Sequence, residues 1–223
     1  PHSHLCYAPE AVRVMPEAGC EPPVRRNGYV TFGSFNNFAK VTDEILLLWR
    51  GILESVRGSR LIIKGKIASI DSGVGFAKKR LSILNFDLAR VEFRPYSPDY
   101  LEQYRDIDIA LDSAPYNGGL TTCEALYMGV PVISLRGRTH GARFGASILT
   151  NAGVRELVAE NDINYVRRAV QLAESPKLLE AYHAGLRANM RRSPLMNVKG
   201  YMEELETAYQ EIWEHYCAIN PLG

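Results

Sequence analysis

The sequence is short of the features that assign a chain quickly to a broad class. It has four cysteines in 223 residues, Cys6, Cys20, Cys123 and Cys217, none in CxxC spacing. A spaced-cysteine zinc site and a disulfide framework are therefore not implied, and reduced thiols in a cytoplasmic setting are the expectation. Neither charge is in excess. The 26 basic and 25 acidic side chains leave a net +1, so bulk attraction to nucleic acid or to an anionic membrane is not expected. No apolar run approaches the roughly 20 residues of a membrane-spanning helix. Residues 1–10 lack the basic segment and apolar core of a secretory signal. There is no internal repeat and no low-complexity tract. The chain begins with proline rather than methionine, which reads as the start of a fragment.

What is present suits a globular α/β chain. Hydrophobic residues make up 46% and charged residues 23%, close to the usual balance and enough to bury a core. The length allows one large domain or two small ones.

The most informative stretch is residues 107–135, IDIALDSAPYNGGLTTCEALYMGVPVISL. Residues 107–111 are apolar and short enough for a buried strand. Residues 112–119 are turn-formers. A helical pattern over 121–128 ends at Gly129, and residues 130–135 form a second apolar, β-branched run. Gly118 and Gly119 let a ligand approach the backbone closely. Thr121 or Thr122 can cap the helix. Free first-turn amides and the helix dipole favour an anion, most often a phosphate. Glu124, placed in that first turn, can accept hydrogen bonds from a sugar diol. The plainer reading is a capped helix that binds nothing, with Glu124 only complementing the dipole.

The rest of the chain alternates strands and helices. Residues 1–28 carry Pro9, Pro16, Pro22 and Pro23 and read as an extended lead, with Leu5, Cys6 and Tyr7 as its one apolar knot. Strands are expected at 29–34, 60–64, 91–94, 107–111, 130–135 and, weakly, 154–158. Helices are expected at 43–56 after Thr42, 74–84, 98–105, 121–128, 142–151, 163–174 and 176–191. A terminal helix spans 199–217, with Tyr201, Leu205, Ala208, Ile212 and Tyr216 on one stripe. This alternation predicts a Rossmann-like, doubly wound parallel sheet. Ligands of such sheets bind outside the carboxyl ends of the strands. Residues 35–40, 112–122 and 137–143, the three segments that carry chemistry, all fall there.

Three motifs in one order now carry a resemblance: GSFNNFAKVT at 33–42, PYNGGLTTCEALYMGVP at 115–131 and GRTHGAR at 137–143. Together with the run IWEHY at 212–216, they resemble the O-linked N-acetylglucosamine transferase family, in its SPINDLY-like and bacterial branch. The resemblance runs from about Leu5 onward. It implies the C-terminal, donor-binding half of a two-domain GT-B glycosyltransferase: a lead over 1–28, a nucleotide-sugar-binding domain over 29–196, and a C-terminal helix over 197–223. The other half and the helical TPR repeats that present the protein acceptor have no counterpart here. The family's catalytic histidine belongs to that other half, so no catalytic base is named.

The resemblance also implies roles. Lys40 matches a lysine that contacts the diphosphate and stabilises the leaving group, and it is the one catalytic assignment. Asn37 lies beside it at a polar position. Gly119, Leu120, Thr121 and Thr122 match a threonine-rich segment that receives the diphosphate, with Leu120 departing from the usual threonine. Glu124 matches the acid that binds the ribose hydroxyls. Tyr100 stands where many relatives carry a histidine near the base. His140 and Arg143 fall in a loop that faces the sugar. Lys64, at the end of the second strand, is a weaker candidate for the same cleft. Cys123 reads as a small core residue rather than a nucleophile.

The implied activity is inverting, metal-independent transfer of N-acetylglucosamine from UDP-GlcNAc to serine or threonine of proteins, with no cofactor and no metal ligand. GDP-fucose is the rival donor, because the SPINDLY branch shares the Thr-Thr-Cys-Glu pattern and uses it. A non-catalytic nucleotide-sugar-binding module is the reading from a different class. The apolar stripe of the terminal helix, beside Trp213, predicts self-association of the isolated chain.

Overall fold

A computed structural model describes residues 3–11 and 13–220. Pro1, His2, Val12 and residues 221–223 lie outside the described residues, and so do those parts of the lead and of the terminal segment. Strand β1 (Thr31–Ser34) is buried along its whole length. It is followed by β2 (Arg60–Lys64), β3 (Val91–Arg94), β4 (Ile109–Leu111), β5 (Val132–Leu135) and β6 (Val158–Ala159). All pair in parallel, in the order β3-β2-β1-β4-β5-β6. Inner parallel strands are covered on both faces and need continuous apolar runs. Leu61, Ile62 and Ile63 in β2, and Ile109, Ala110 and Leu111 in β4, supply them.

The winding reverses between β1 and β4, which pair through Phe32–Ile109 and Gly33–Ala110. That is the switch point at which doubly wound sheets open a crevice above their strand ends. The loops that leave β1 and β4 are therefore the ones placed to meet a ligand.

The helices are α1 (Val24–Asn27), α2 (Asp43–Ser55), α3 (Asp71–Ile83), α4 (Leu120–Tyr127), α5 (Phe144–Asn151), α6 (Asp162–Ala173), α7 (Pro176–Arg192) and α8 (Val198–Ile219). Helix α2 starts where Thr42 Oγ1 accepts from the Ile45 amide at 3.4 Å. It buries Ile45, Leu46, Trp49, Ile52 and Leu53, a gross hydrophobic gain on the order of 10 kcal/mol. It packs on α6, while α4 packs on α5 and α7. Trp49 Nε1 donates to Tyr165 Oη (3.0 Å), and that hydroxyl donates to the Asp112 carbonyl (2.9 Å). This relay ties α2 and α6 to the end of β4.

Several sequence expectations shift. The lead is not simply extended: it contains a 3-10 turn at Pro9–Ala11 and helix α1, which ends at Gly28 with φ 75°. The helix expected at 98–105 is a turn followed by a 3-10 segment, Glu102–Asp106, tightened because Tyr104 is drawn into the core against Phe35. Helix α3 begins at Asp71, three residues earlier than expected. The last strand is confined to Val158–Ala159, since Arg155–Leu157 turns as 3-10. Helix α8 forms as expected but buries no residue; Tyr209, Ile212, Trp213, Tyr216 and Ile219 are exposed.

Candidate functional site

The crevice is built around Asp112, the residue after β4. Its carboxylate is fully buried. Oδ1 accepts from the Gly118 amide (2.7 Å), the Ser113 amide (2.9 Å) and Asn36 Nδ2 (3.3 Å), and Oδ2 accepts from Ser134 Oγ (2.6 Å). Burial raises its pKa to about 6, against the pull of these donors, Ser134 first. Its carboxylate folds the glycine loop back on the strand end. Gly118 is required by that fold: a Cβ there would stand 2.6 Å from Thr122 Oγ1 and 2.7 Å from Thr121 Oγ1. Gly145 of α5 is required from the other side, since a Cβ would lie 1.9 Å from Ser134 Oγ. Asn117, also buried, donates to the carbonyls of Ser113 (2.9 Å) and Leu135 (3.2 Å).

The expected threonine cap is corrected. Helix α4 starts at Leu120, with Gly119 before it and no side chain capping it. The Thr121 hydroxyl instead donates to Asn36 Oδ1 at 2.9 Å, and Thr122 is buried beneath the loop. The first bond within the helix runs from the Cys123 amide to the Gly119 carbonyl. The amides of Leu120, Thr121 and Thr122 therefore precede the ladder and have no partner inside the helix. Leu120 is exposed beside them. With the helix starting one residue early, Glu124 stands past the first turn, so dipole complementation no longer accounts for it.

From β1 the structure selects a different asparagine. Asn37 is exposed, and its Oδ1 accepts from the Ala39 amide, capping the 3-10 turn Phe38–Lys40. Asn36 is the buried one, bridging Asp112 and Thr121. Its position just beyond a fully buried strand was the available clue. Lys40 ends the turn with its ammonium 4.2 Å from the Tyr116 ring centroid. Burial lowers its pKa and the Asp112 charge opposes that. Among the described residues it makes no salt bridge. The two loops are laced by the Val41–Pro115 bridge and by Thr42 Oγ1 donating to the Ala114 carbonyl (3.3 Å).

Glu124 is buried at 1% exposure. Tyr100 Oη donates to its Oε1, and Arg13 Nη2 of the lead lies 3.3 Å from the same oxygen. Burial raises the Glu124 pKa, while Tyr100 and Arg13 oppose it. Desolvation first, then the Glu124 hydrogen bond, raises that of Tyr100 to about 12. The structure thus joins Tyr100 to Glu124, and joins Thr121 to Asp112 through Asn36. His140 and Arg143 stand apart on an exposed loop. His140 meets Phe144 edge-on at 4.9 Å, and Arg143 Nε donates to the Gly137 carbonyl at 3.4 Å. Lys64 does not reach the crevice: its buried ammonium donates to the Pro95 carbonyl and to Ser97 Oγ (3.1 Å), pinning the turn after β3. Cys123 is fully buried with its pKa raised to about 12 by desolvation, as a core residue should be.

Asp112, Asn36, Tyr116 and Arg13 are the residues that sequence reasoning passed over. Asp112 and Tyr116 had been read as turn-formers only, and nothing local in the lead marks Arg13. A cavity of about 510 Å³ beside the site, lined by Thr42, Ile45, Pro115, Leu135, Arg136 and Asp162 among others, includes none of the candidate residues. Among the described residues no helix is long and apolar enough to cross a membrane.

Comparison with known proteins fits this geometry. The chain is 41% identical over 222 residues to a protein from Eustoma exaltatum subsp. russellianum named as a probable UDP-N-acetylglucosamine–peptide N-acetylglucosaminyltransferase SPINDLY, covering 97% of this chain and 24% of that one. The Arabidopsis thaliana SPINDLY protein is 40% identical over the same share of this chain. The chain thus spans about a quarter of the length of the curated relatives it matches. A mutant O-GlcNAc transferase of Thermobaculum terrenum superposes with a TM-score of 0.80 at 31% identity, over 90% of this chain and 40% of that one. Anabaena HepE in complex with UDP and glucose shares the fold, with a TM-score of 0.60 at 17% identity over 84% of this chain and 51% of that one. The family profile itself matches residues 25–205, from α1 into α8, and on that match the chain belongs to glycosyl transferase family 41.

Proposed function

We propose that this chain is the donor-binding half of a protein O-glycosyltransferase that moves N-acetylglucosamine from UDP-GlcNAc to serine or threonine hydroxyls. The observation that carries the reading is the pairing at the switch point. The amides of Leu120, Thr121 and Thr122 begin α4 with no partner inside the helix, and Lys40 ends the loop laced to theirs without a salt bridge of its own among the described residues. A dense cluster of fixed donors beside a free cation suits a diphosphate.

In the transfer, the acceptor oxygen attacks the anomeric carbon and the bond from that carbon to the diphosphate breaks with inversion. The acceptor's proton passes to a base outside this chain. The departing UDP gains negative charge, which the α4 amides and the Lys40 ammonium offset; electrostatic help of this kind, present before the reaction, is worth several kcal/mol. No metal is assigned to the step. Glu124 takes the ribose diol, Tyr100 lies toward the base, and His140 and Arg143 face the sugar. The relatives named above for UDP-N-acetylglucosamine chemistry support this choice of donor. Tyr100, an aromatic ring at a position where many relatives carry histidine, keeps GDP-fucose as the second reading.

Calorimetric titration of UDP and of GDP into the purified chain separates the two. Tight GDP binding without UDP binding selects the fucosyl donor, and no binding of either rejects the donor site altogether. The acceptor protein is taken to be presented by a further half and by TPR repeats, in the cytoplasm. The exposed face of α8 supports self-association of the isolated chain; a monomer at every concentration by light scattering would refute that.

A further inference from the structure

The lead segment crosses the very residues assigned to the donor. His4 stacks on Phe144 at 4.0 Å and meets His140 edge-on at 5.7 Å. Leu5 reaches Gly119, where an added Cβ would meet its Cδ2 at 3.8 Å. Arg13 places its guanidinium on Tyr100 Oη (3.1 Å) and Glu124 Oε1 (3.3 Å), 5.5 Å from the Tyr100 ring centroid.

The crossing is anchored on both flanks of Arg13. On one side the Tyr7 amide donates to the Leu195 carbonyl (2.7 Å), and Glu10 accepts from Arg191 (2.8 Å) and from Tyr127 Oη. On the other, Arg187 holds the Pro16 carbonyl (2.8 Å) and Arg105 holds that of Glu17 (2.7 Å). Among the described residues between Glu10 and Pro16, the side-chain contact that reaches the crevice is that of Arg13. The seat is also imperfect. The buried Tyr7 hydroxyl has no hydrogen-bond partner among the described residues, a cost that a displaced arch could relieve.

Resting on the donor reading above, we propose that Arg13 is a built-in stand-in for the donor's ribose: its guanidinium occupies the Glu124 carboxylate, and the nucleotide must displace the arch carrying it in order to bind. The chemistry matches. A ribose presents two O–H donors to a carboxylate, and a guanidinium presents N–H donors to the same oxygens. Glu124 at 1% exposure cannot receive a diol while Arg13 stays. The Arg13 side chain keeps 37% of its surface exposed and among the described residues carries one ion pair, so the latch is weak enough to open. A partly exposed, charge-assisted contact is worth on the order of 1 kcal/mol, which is about fivefold in affinity.

The test uses the whole 223-residue chain and UDP and GDP as probes. Arg13→Ala should bind the preferred nucleoside diphosphate about fivefold tighter than the unmodified chain, with the unfolding midpoint lowered by no more than about 4 °C. Trypsin cleavage after Arg13 should speed up at least twofold when that nucleotide is added, measured against cleavage after exposed Arg25. Unchanged or weaker binding by Arg13→Ala, or protection of the Arg13 bond by nucleotide, overturns the stand-in while leaving the donor site intact. If neither UDP nor GDP binds either protein, the donor reading falls and the stand-in falls with it.

Discussion

Residues 112–119 after β4 and residues 136–143 after β5 lie side by side, joined where the Asn117 amide donates to the Gly141 carbonyl (3.1 Å). They differ in almost every physical respect. The first loop holds Asp112, Ser113, Asn117 and Gly118 out of solvent and cross-links them by hydrogen bonds between a carboxylate, side-chain amides and backbone. The second exposes Arg136, Arg138, Thr139, His140 and Arg143 and is held by ring contacts and by backbone hydrogen bonds, from the Gly137 amide to the Ala142 carbonyl (2.7 Å) and from the Arg143 amide to the His140 carbonyl (3.0 Å). On the proposed donor reading, the difference separates two tasks. Binding a diphosphate through backbone amides needs a backbone that does not move, so the loop that aims those amides is buried and over-determined. Contacts to a sugar rely on side chains, which an exposed loop can offer without threatening the core.

If that division holds, the largest effect belongs to Asp112. Asp112→Ala strands the Gly118 and Ser113 amides, Asn36 and Ser134 together. It should cost about 3–5 kcal/mol in urea unfolding and abolish nucleotide binding. Asp112→Asn is the sharper control. Oδ1 already accepts three of the four donors, and an amide nitrogen in place of Oδ2 can donate to Ser134 Oγ once that hydroxyl rotates. Its stability at pH 7 should stay within about 1 kcal/mol.

The same substitution tests the electrostatics. A native pKa of about 6 lies above the ordinary 3.8. Between pH of about 4 and 6 the folded chain therefore keeps a proton that the unfolded chain has released, and stability falls as pH rises through that window. The loss is complete above pH of about 6 and amounts to about 3 kcal/mol. Buried Asp108, also raised to about 6 by desolvation, adds a similar slope. Asp112→Asn should remove roughly half of the combined slope in unfolding free energies measured from pH 4 to 7; an unaltered slope would mean that the Asp112 carboxyl is not protonated in the fold.

Gly118→Ala comes next. Its Cβ meets two threonine oxygens inside 2.8 Å, so a loss of about 1–3 kcal/mol and at least tenfold in nucleotide affinity is expected. Lys40→Ala leaves the fold nearly untouched, within about 0.5 kcal/mol, yet should weaken nucleoside diphosphates about 10- to 100-fold while sparing the bare nucleoside. Equal losses for UDP and uridine would remove Lys40 from the diphosphate. The smallest effects belong to the exposed loop: His140→Ala and Arg143→Ala should leave the melting temperature within about 2 °C. They should weaken the nucleotide sugar more than the nucleoside diphosphate, and a cost to stability above 1 kcal/mol at either would erase the contrast between the loops.

The periodicity of the chain and the turn chemistry of residues 112–119 made the parallel sheet and the glycine loop legible, because strand and helix patterns are local and short-range. Residues 97–106 and 154–158 were misjudged because burial of Tyr104 and of Leu157 overrode local preference. Within the site, Thr121 and Glu124 could be picked from residue type and spacing, while Lys40 came only from the family resemblance. Which asparagine faces inward could not: Asn36 and Asn37 are chemically identical neighbours, and only the direction of the backbone leaving β1 tells them apart.

The sequence by itself determined an alternating α/β chain with a glycine loop and a helix start at the end of one strand, because those features depend on residues a few positions apart. The tertiary structure decided what joins them. Asp112 draws two of its four donors from distant segments, Asn36 and Ser134, and Arg13 finds Glu124 across 111 residues of chain. Such contacts arise only when distant segments are packed together, and no local pattern records them.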